Sequence, residues 1–518
     1  MSVTTLPPAT TSTPTQLSLL AQPTDVRLQV AARAARPDYP AWLEHVQSAA
    51  GCTHPIRLHG ELYTLRRTSP DSAQVVGYQH TESMPDGVIY KACGNRRVSA
   101  CPSCSRTYRG DAFRVFRSGL VGGDGITQTV AEHPALFVTL TAPSFGPVHT
   151  RYVKHHTCRR RRDCQCRAEP CRPRRDRPRC PHGRPLFCFA RHQDPDKIVG
   201  SPFCPDCYDH PAHVVWNLTA GELWRRTTIA ITRHLRRLAK ERGIPFHKVP
   251  TPDGGTRKVA PFKLSFGKAA EFQRRAVVHF HAIIRLDGHD PDTPDAVLPP
   301  PAGLHTQDLV DAVNCAASRT GFGTEAHPAR PAGWHITWGE QLDVQVITVH
   351  DNGPVTDRMV SDYLAKYATK STETTGHISP RLTHETIRIY AHPLGTHTER
   401  LVNACWALGQ ARSKTWRGLW RWAHMLGFGG HFATKSRRYG RTFAFYRTRR
   451  LTYRRAQTTG PQPDNQTPER ETTLVVNFLQ FVGAGWHTTG DAVLANASAA
   501  MAREHQQAAH QVLTTLAA

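Results

Sequence analysis

Short stretches in which apolar and polar residues alternate are spread along the chain from residue 58 to residue 347. Because strand side chains point to opposite faces in turn, this alternation predicts strands at 58–65, 74–88, 136–141, 262–266 and 334–347. Apolar residues at helical spacing predict helices that begin near Thr219, Thr306 and Thr356, and Gly243 marks the end of the first. The chain is therefore predicted to contain both strands and helices.

The most informative strand-like stretch runs from residue 271 to residue 286, and in it His279 and His281 flank one large apolar residue. On a strand both imidazoles point the same way and can hold one metal ion. Glu271 lies earlier, where an antiparallel partner strand would carry it to the same place. A His/His/Glu set suits Mg or Mn rather than a closed structural zinc site. Taken alone, a His-x-His pattern is also common on ordinary half-exposed strands.

A second candidate stretch, residues 360–370, is predicted to be helical. Tyr363 and Tyr367 are four residues apart and share a face, and Lys366 and Lys370 each follow a tyrosine by three residues. A phenol attacks a phosphodiester only if a cation favours its phenolate form and a metal polarises the phosphate. The same spacing also describes an ordinary apolar packing stripe, so the pattern alone leaves catalysis and core packing open.

The charge balance points to a polyanionic partner. The 518 residues include 66 Lys and Arg against 41 Asp and Glu, a formal net charge of +25, which favours nucleic acid. No apolar run is long enough to span a membrane, and no secretory signal is apparent, so we expect a cytoplasmic protein without a membrane partner. No GxxxxGK[ST] loop is present, so we expect no nucleotide cofactor and a separate helicase.

Cysteine spacing predicts structural zinc. Of 14 cysteines, 12 lie between residues 52 and 207, and CxxC pairs in a cytoplasmic chain indicate zinc ligands. The first predicted site consists of Cys52, Cys93, Cys101 and Cys104. The second combines Cys204 and Cys207 with Cys180 and Cys188, and has His182 and His192 as alternative ligands. Cys158, Cys164, Cys166 and Cys171 form a further site or are spare; the spacing leaves both open.

The order of these motifs resembles that of the HUH endonucleases that start rolling-circle replication: an apolar strand with threonines (136–141), His-hydrophobic-His, then Tyr with Lys three residues later. The stretches 93–97, 101–104, 204–209 and 424–432 extend the resemblance to the replication initiators of actinomycete (Streptomyces-type) plasmids and integrative elements. The resemblance covers roughly residues 50–455. It implies an α+β fold, in which an antiparallel sheet carries packed helices and the threonine and histidine strands are neighbours.

The resemblance also implies an activity, namely metal-dependent nicking and rejoining of origin DNA through a 5′-phosphotyrosine, with Tyr367 favoured over Tyr363 as the nucleophile. The nick leaves a 3′-OH for a host polymerase. The DNA is expected to be single-stranded at the nick. Basic residues of a Trp/Arg-rich region are predicted to contact DNA, and they are Arg417, Arg421, Lys435, Arg437 and Arg438. The interleaved tryptophans also describe a helix with a Trp-rich core, so their pattern leaves both interpretations open.

On this basis the chain divides into five regions. Residues 1–45 are a predicted disordered tail, 46–128 an N-terminal zinc-binding module, and 129–375 the HUH nicking domain, with a Cys/Arg-rich, zinc-binding insertion at 150–216. Residues 376–455 form the DNA-contacting region, and 456–518 form a linker and a small C-terminal element.

Three other functions remain open. Conjugative relaxases and transposases use the same chemistry. A non-catalytic, zinc-stabilised DNA-binding regulator explains the charge and the cysteines, but it leaves the order of Glu271, His279, His281 and the two tyrosines unexplained. An RNA-binding protein is the third alternative.

Overall fold

A computed structural model describes residues 25–69, 72–154, 166–349, 355–370, 372, 381–411, 413–459 and 473–516. The expected tail before residue 25, together with Cys158 and Cys164, lies outside these residues. The chain forms two compact units. The first unit comprises Met1–Gly94, Cys101–Cys104 and Asn465–Ala518, and the second comprises Asn95–Ala100 and Ser105–Asp464.

The helices are α1 Val26–Ala34, α2 Tyr39–Val46, α3 Pro102–Val121, α4 His210–Glu241, α5 Thr306–Arg319, α6 Asp357–Ala368, α7 Ile387–Tyr390, α8 His397–Gly409, α9 Arg417–Arg421, α10 Phe443–Thr459 and α11 Thr489–Leu516. The strands are β1 Ile56–Ser69, β2 Ser72–His80, β3 Ile89–Lys91, β4 Ala135–Leu140, β5 His247–Pro250, β6 Thr256–Val259, β7 Phe262–Phe272, β8 Val278–Gly288, β9 Gly321–Gly323, β10 His335–Thr337, β11 Leu342–Val346, β12 Ala433–Lys435 and β13 Thr473–Ala484.

The first unit is built on a four-stranded antiparallel sheet in which β1 pairs with β13 along one edge and with β2 and β3 along the other. Its core contains the fully buried Trp42 of α2, Tyr90 of β3 and Ala495 of α11. The strand and helix after residue 472 therefore complete the N-terminal module, whereas the prediction placed them in a separate C-terminal element. Sequence alternation predicts that a strand exists and leaves its partner undetermined.

The prediction of a disordered tail is corrected for residues 26–45, which form α1 and most of α2. Asp25 caps α1 by accepting a hydrogen bond from the Arg27 amide. Arg33 is buried between the carboxylates of Asp86 and Asp491, at 2.9 and 2.7 Å. The helices are too short to show a clear apolar period, and tertiary contacts of this kind hold them in place.

The second unit contains a five-stranded antiparallel sheet in the order β11-β4-β8-β7-β12. Every residue of the central strand β8 is buried, and β4 is its direct neighbour. Helix α4 packs on the sheet through buried residues such as Trp216, Leu223 and Ile231. The chain is thus a mixed α/β protein with antiparallel sheets, and the threonine and histidine strands lie side by side.

Two predicted boundaries in this unit are corrected. Helix α4 begins at His210, where Asp209 caps it, and Thr219 lies inside the helix with its hydroxyl donating to the Val215 carbonyl at 2.7 Å. The strand predicted over 334–347 is divided into β10 and β11. Between them Trp338 turns inward and donates its indole N–H to the Thr227 hydroxyl. Within the described part of the chain, no helix is both long enough and apolar enough to cross a membrane.

Candidate active site

The hairpin of β7 and β8 brings three predicted metal ligands together. Glu271 is paired directly with His279 in the antiparallel register, and His281 follows on the same face. The Glu271 Oε2 atom lies 3.0 Å from His279 Nε2 and 3.1 Å from His281 Nε2. These ligand atoms all lie within 4.8 Å of one another, so one carboxylate and two imidazoles face a single point.

The spacing of these atoms fits an octahedral divalent ion. Such ions hold their ligands at about 2.0–2.1 Å, so two ligand atoms at right angles are about 3.0 Å apart. The measured separations from the Glu271 oxygen to the two imidazole nitrogens match this value. One oxygen and two nitrogens also form a mixed donor set, open on its remaining sides. The three residues therefore fit a catalytic metal.

Neighbouring groups keep the Glu271 carboxylate ionised and the His281 imidazole neutral. Burial raises the pKa of the Glu271 carboxyl, but hydrogen bonds from His279 and His281 outweigh burial and lower the pKa to about 2. Burial lowers the pKa of His281 to about 4, so its imidazole is neutral at pH 7. The Thr139 hydroxyl lies 3.0 Å from His281 Nδ1 and the Gln273 amide 3.2 Å from His279 Nδ1, which fixes both rings.

The two candidate tyrosines lie against His281. Thr356 caps α6 by accepting a hydrogen bond from the Met359 amide. The ring centroids of Tyr363 and Tyr367 lie 4.9 and 5.2 Å from that of His281, and 4.4 Å from each other. Other residues of α6, Val360, Leu364, Ala365 and Ala368, are buried in the core. The helix is thus held by its apolar face, while both half-buried tyrosines stand beside the ligands.

The two candidate lysines, Lys366 within α6 and Lys370 just after its end, differ in position. Lys370 Nζ lies 3.0 Å from Glu271 Oε1 and 4.2 Å from the centroid of the Tyr367 ring. Lys366 Nζ is 5.5 Å from the same centroid. Lys370 therefore connects a candidate metal ligand to a candidate nucleophile.

A further basic residue supports the end of this helix, and the sequence predictions assigned it no role. Arg96 donates hydrogen bonds to the carbonyls of Ala368 and Lys370, and its guanidinium lies 3.6 Å above the Phe432 ring. Cations that bind the last carbonyls of a helix stabilise it. The only signal in the sequence was the position of Arg96 within a stretch shared with the initiators.

Comparison with known proteins identifies the family. Residues 38–500 match the family model described as "RepSA: Replication initiator protein, pSAM2". A replication initiator protein of Streptomyces ambofaciens is 38% identical over 468 residues, which cover 89% of this chain and 90% of the relative. The chain belongs to the RepSA family of replication initiator proteins. No solved structure matches it significantly. The match confirms the resemblance to the initiators of actinomycete plasmids.

In this RepSA-family chain the first predicted zinc group, Cys52, Cys93, Cys101 and Cys104, comes together. The sulfur atoms of Cys52 and Cys101 are 3.8 Å apart and those of Cys93 and Cys104 3.7 Å. Four sulfurs bound tetrahedrally to zinc at about 2.3 Å are about 3.8 Å apart, whereas disulfide sulfurs are about 2.0 Å apart. The group therefore fits a structural zinc ion.

The second predicted zinc group is corrected at one ligand. The residues that converge are Cys180, His182, Cys204 and Cys207. His182 Nδ1 lies 3.2 Å from Cys207 Sγ and 3.7 Å from Cys204 Sγ, so the alternative ligand His182 takes the place predicted for Cys188. Cys188 exchanges two backbone hydrogen bonds with Arg172, which hold it in another part of the insertion. Spacing along the chain does not reveal this pairing.

The predicted DNA-binding residues of the RepSA-family chain are basic side chains on the surface or close to it. Arg417 and Arg421 are exposed on α9, whereas the neighbouring Trp416 is only 1% exposed and belongs to the core. Arg437 is exposed and pairs with Asp295, and Arg438 is half-buried. Lys435 donates to the carbonyls of Ser436 and Arg437, and burial lowers its pKa.

Proposed function

We propose that this RepSA-family protein starts rolling-circle replication by nicking and rejoining origin DNA through a tyrosine of α6. The observation that carries the proposal is the convergence of Glu271, His279 and His281 at a point bordered by Tyr363 and Tyr367. A metal-binding triad beside two phenols on a helix is suited to attack on a phosphodiester. Mg or Mn is the proposed catalytic ion.

The reaction is a transesterification. The tyrosine Oη forms a bond to the scissile phosphorus, and the bond from phosphorus to the 3′ oxygen breaks. The phenol loses a proton and the departing 3′ oxygen gains one, which leaves a 5′-phosphotyrosine and a free 3′-OH. When bound, the metal ion would polarise the phosphate oxygens. Rejoining is the reverse attack by a 3′-OH, so no external energy source is needed.

The surrounding residues have separate roles in this scheme. Glu271 and the two histidines hold the ion, and Thr139 and Gln273 orient the imidazoles. Lys370 lies closer than Lys366 to the Tyr367 ring, and a nearby ammonium favours the phenolate. We therefore favour Tyr367 as the first nucleophile, with Tyr363 as the alternative.

Structural zinc, DNA contact and host factors complete the proposal. The sets Cys52/Cys93/Cys101/Cys104 and Cys180/His182/Cys204/Cys207 each hold one zinc ion. The basic residues at 417–438 contact origin DNA. The 3′-OH is the primer for a host polymerase, and a host helicase separates the strands. These steps take place in the cytoplasm.

The deciding experiment incubates a supercoiled plasmid that carries the origin with purified protein and Mn or Mg. We expect nicked circles and protein attached to the 5′ end. Tyr367→Phe is expected to abolish the adduct, and loss with Tyr363→Phe instead would assign the nucleophile to that residue. Tyr390→Phe on α7 is the matched control and should nick normally. His279→Ala should bind the plasmid without nicking it.

The main alternative is a zinc-stabilised DNA-binding regulator without catalysis. Tight binding to an authentic origin with no nick under either metal would support that alternative and contradict the proposal. A relaxase or transposase of the same chemistry would nick at a transfer origin or an element end instead of a replication origin.

A further inference from the structure

Three side chains of the insertion and one from the residue just before it meet at a second point, separate from the group that contains Cys204 and Cys207. They are His149, Cys171, Cys188 and His192, and their ligand atoms lie within 4.8 Å of one another. His149 Nδ1 is 3.3 Å from His192 Nε2. Cys171 Sγ is 3.8 Å from His149 Nδ1, and Cys188 Sγ is 3.6 Å from His192 Nε2.

These separations are those of a tetrahedral Cys₂His₂ site. With Zn–S at about 2.3 Å and Zn–N at about 2.0–2.1 Å, tetrahedral angles place two nitrogens about 3.3 Å apart and a sulfur and a nitrogen about 3.6 Å apart. The nitrogen–nitrogen distance and one sulfur–nitrogen distance match these values, and the second sulfur–nitrogen distance is 0.2 Å longer.

The groups around the four ligands are also those of a metal site. The other ring nitrogen of His192, Nδ1, lies 3.4 Å from the Asp196 carboxylate, the arrangement that orients a ligating imidazole and makes it more basic. The Thr150 amide donates to Cys171 Sγ at 3.2 Å, which stabilises a thiolate. The His149 ring stacks on Phe203 at 4.1 Å and so keeps one orientation.

The backbone holds the ligands in place before any ion binds. Arg172 and Cys188 exchange two hydrogen bonds, at 2.8 and 2.9 Å, and the Cys171 amide donates to Ala190 at 2.9 Å. The insertion has little apolar material of its own, and a segment of this kind gains most of its stability from a bound metal. A preformed ligand cage in such a segment is best explained by an ion.

We propose that His149, Cys171, Cys188 and His192 bind a structural zinc ion, in addition to the two zinc ions proposed above. The site fixes the insertion beside the turn that joins β7 to β8. Asp194, two residues from His192, pairs with Arg274 of that turn at 3.0 Å. At Gly200 a Cβ atom would lie 2.4 Å from the Arg274 carbonyl carbon, so the two backbones are in close contact. Zinc at this site therefore supports the hairpin that carries the candidate catalytic ligands.

The first test measures zinc per chain by elemental mass spectrometry. Cys171→Ala and Cys188→Ala should each contain one zinc ion fewer than the wild type, and Cys315→Ala, a cysteine of α5 that belongs to none of the ligand groups found among the described residues, should keep the full number. His192→Cys replaces a nitrogen ligand by a thiolate and should retain the ion. Equal zinc contents in Cys171→Ala, Cys188→Ala and Cys315→Ala would overturn the assignment.

The second test uses the wild-type chain and so does not depend on whether a variant folds. Cys171, Cys188 and Cys315 are all half-buried, which makes Cys315 a matched control for access to a thiol-alkylating reagent. With zinc present we expect Cys315 to react and Cys171 and Cys188 to be protected; after a chelator all three should react. Reaction of Cys171 and Cys188 at the rate of Cys315 before chelation would contradict the proposal. Neither readout requires nicking, so failure here is distinct from failure of the proposed function.

Discussion

At the scale of single residues, the two lysines of the candidate active site differ in their distance from Tyr367. The Lys370 ammonium lies 3.0 Å from Glu271 Oε1 and 4.2 Å from the centroid of the Tyr367 ring, whereas the Lys366 ammonium is 5.5 Å from that centroid. Because electrostatic effects decline with distance and with exposure to water, the two lysines should contribute unequally.

We predict that Lys370→Met lowers the maximal rate of tyrosine–DNA adduct formation by about 100-fold, the usual effect of removing one charge-stabilising group. Lys366→Met should lower it much less. Loss of the ammonium also removes a competitor for the Glu271 oxygens, so the Mn concentration at half-maximal rate should fall in Lys370→Met. Rates measured across a Mn titration test both effects, and equal losses in the two variants would contradict the assignment.

Residue patterns predicted the candidate metal ligands of this site but not the contact that Arg96 makes with the end of α6. Alternation on β8 predicted that His279 and His281 share a face, and the register places Glu271 opposite them. Arg96 could not be found in this way, because its contact with the Ala368 carbonyl joins residues 272 positions apart. Neither local spacing nor composition records a contact of that kind.

At the scale of secondary structure, Arg96 binds the C-terminal end of α6, where Lys370 follows. We predict that Arg96→Ala loosens the last turn and lowers adduct formation by about 10- to 100-fold, because small displacements of reacting groups are costly. Arg96→Lys keeps the charge but lacks the forked guanidinium, so it should recover only part of the activity. Hydrogen exchange of the α6 amides is the structural readout. Unchanged exchange in Arg96→Ala would show that α6 does not need this contact.

The close pairing of β1 with β13 leaves no room for a side chain at Gly60. Gly60 has φ +140°, and a Cβ atom there would lie 2.1 Å from the Phe478 carbonyl oxygen. We predict that Gly60→Ala lowers the free energy of unfolding by roughly 1–3 kcal/mol. Gly87→Ala is the control, because Gly87 also has a positive φ, +66°, but open space around it. Urea unfolding compares the two, and an equal loss of stability would rule out the strand contact as the cause.

Elements with a strong local period were predictable, and those defined by distant partners were not. Helix α6 begins after Thr356 and α5 at Thr306 as expected. Strands β7 and β8 contain the predicted strand 262–266 and the two histidines, although β7 continues to Phe272 and β8 begins only at Val278. Helices α1 and α2 and the division of 334–347 into two strands escaped prediction. Each depends on a buried contact from elsewhere in the chain, such as that of Arg33 with Asp491 or Trp338 with Thr227.

At the scale of the whole molecule, buried histidines make stability depend on pH. His210 Nε2 lies 3.2 Å from His397 Nδ1, and His397 Nε2 lies 3.0 Å from the Arg275 carbonyl oxygen. Burial lowers the pKa of His210 to about 3 and that of His397 to about 4, from 6.5. As pH falls below 6.5, the unfolded chain takes up protons that the folded chain does not, so the free energy of unfolding falls.

We predict that His397→Gln flattens this dependence between pH 6.5 and pH 4 by at most roughly 1.4 kcal/mol per pH unit, the value for one proton. His335→Gln, at an exposed position on β10, should leave the slope unchanged. Urea unfolding at several pH values gives the slopes. Identical slopes in wild type and His397→Gln would show that the pKa of His397 is the same in the folded and the unfolded chain.

The first unit combines segments from near both ends of the chain, so its sheet can be completed only late in synthesis. Trp486 donates its indole N–H to the Cys52 carbonyl, 434 residues away in sequence, and β13 covers an edge of β1. At about 5–20 residues per second, a ribosome needs about 20–90 s to make the intervening chain. The second unit can therefore fold during translation, while β1 must wait for its partner. A chain released early would carry the candidate nicking site but could not complete the sheet of its first unit.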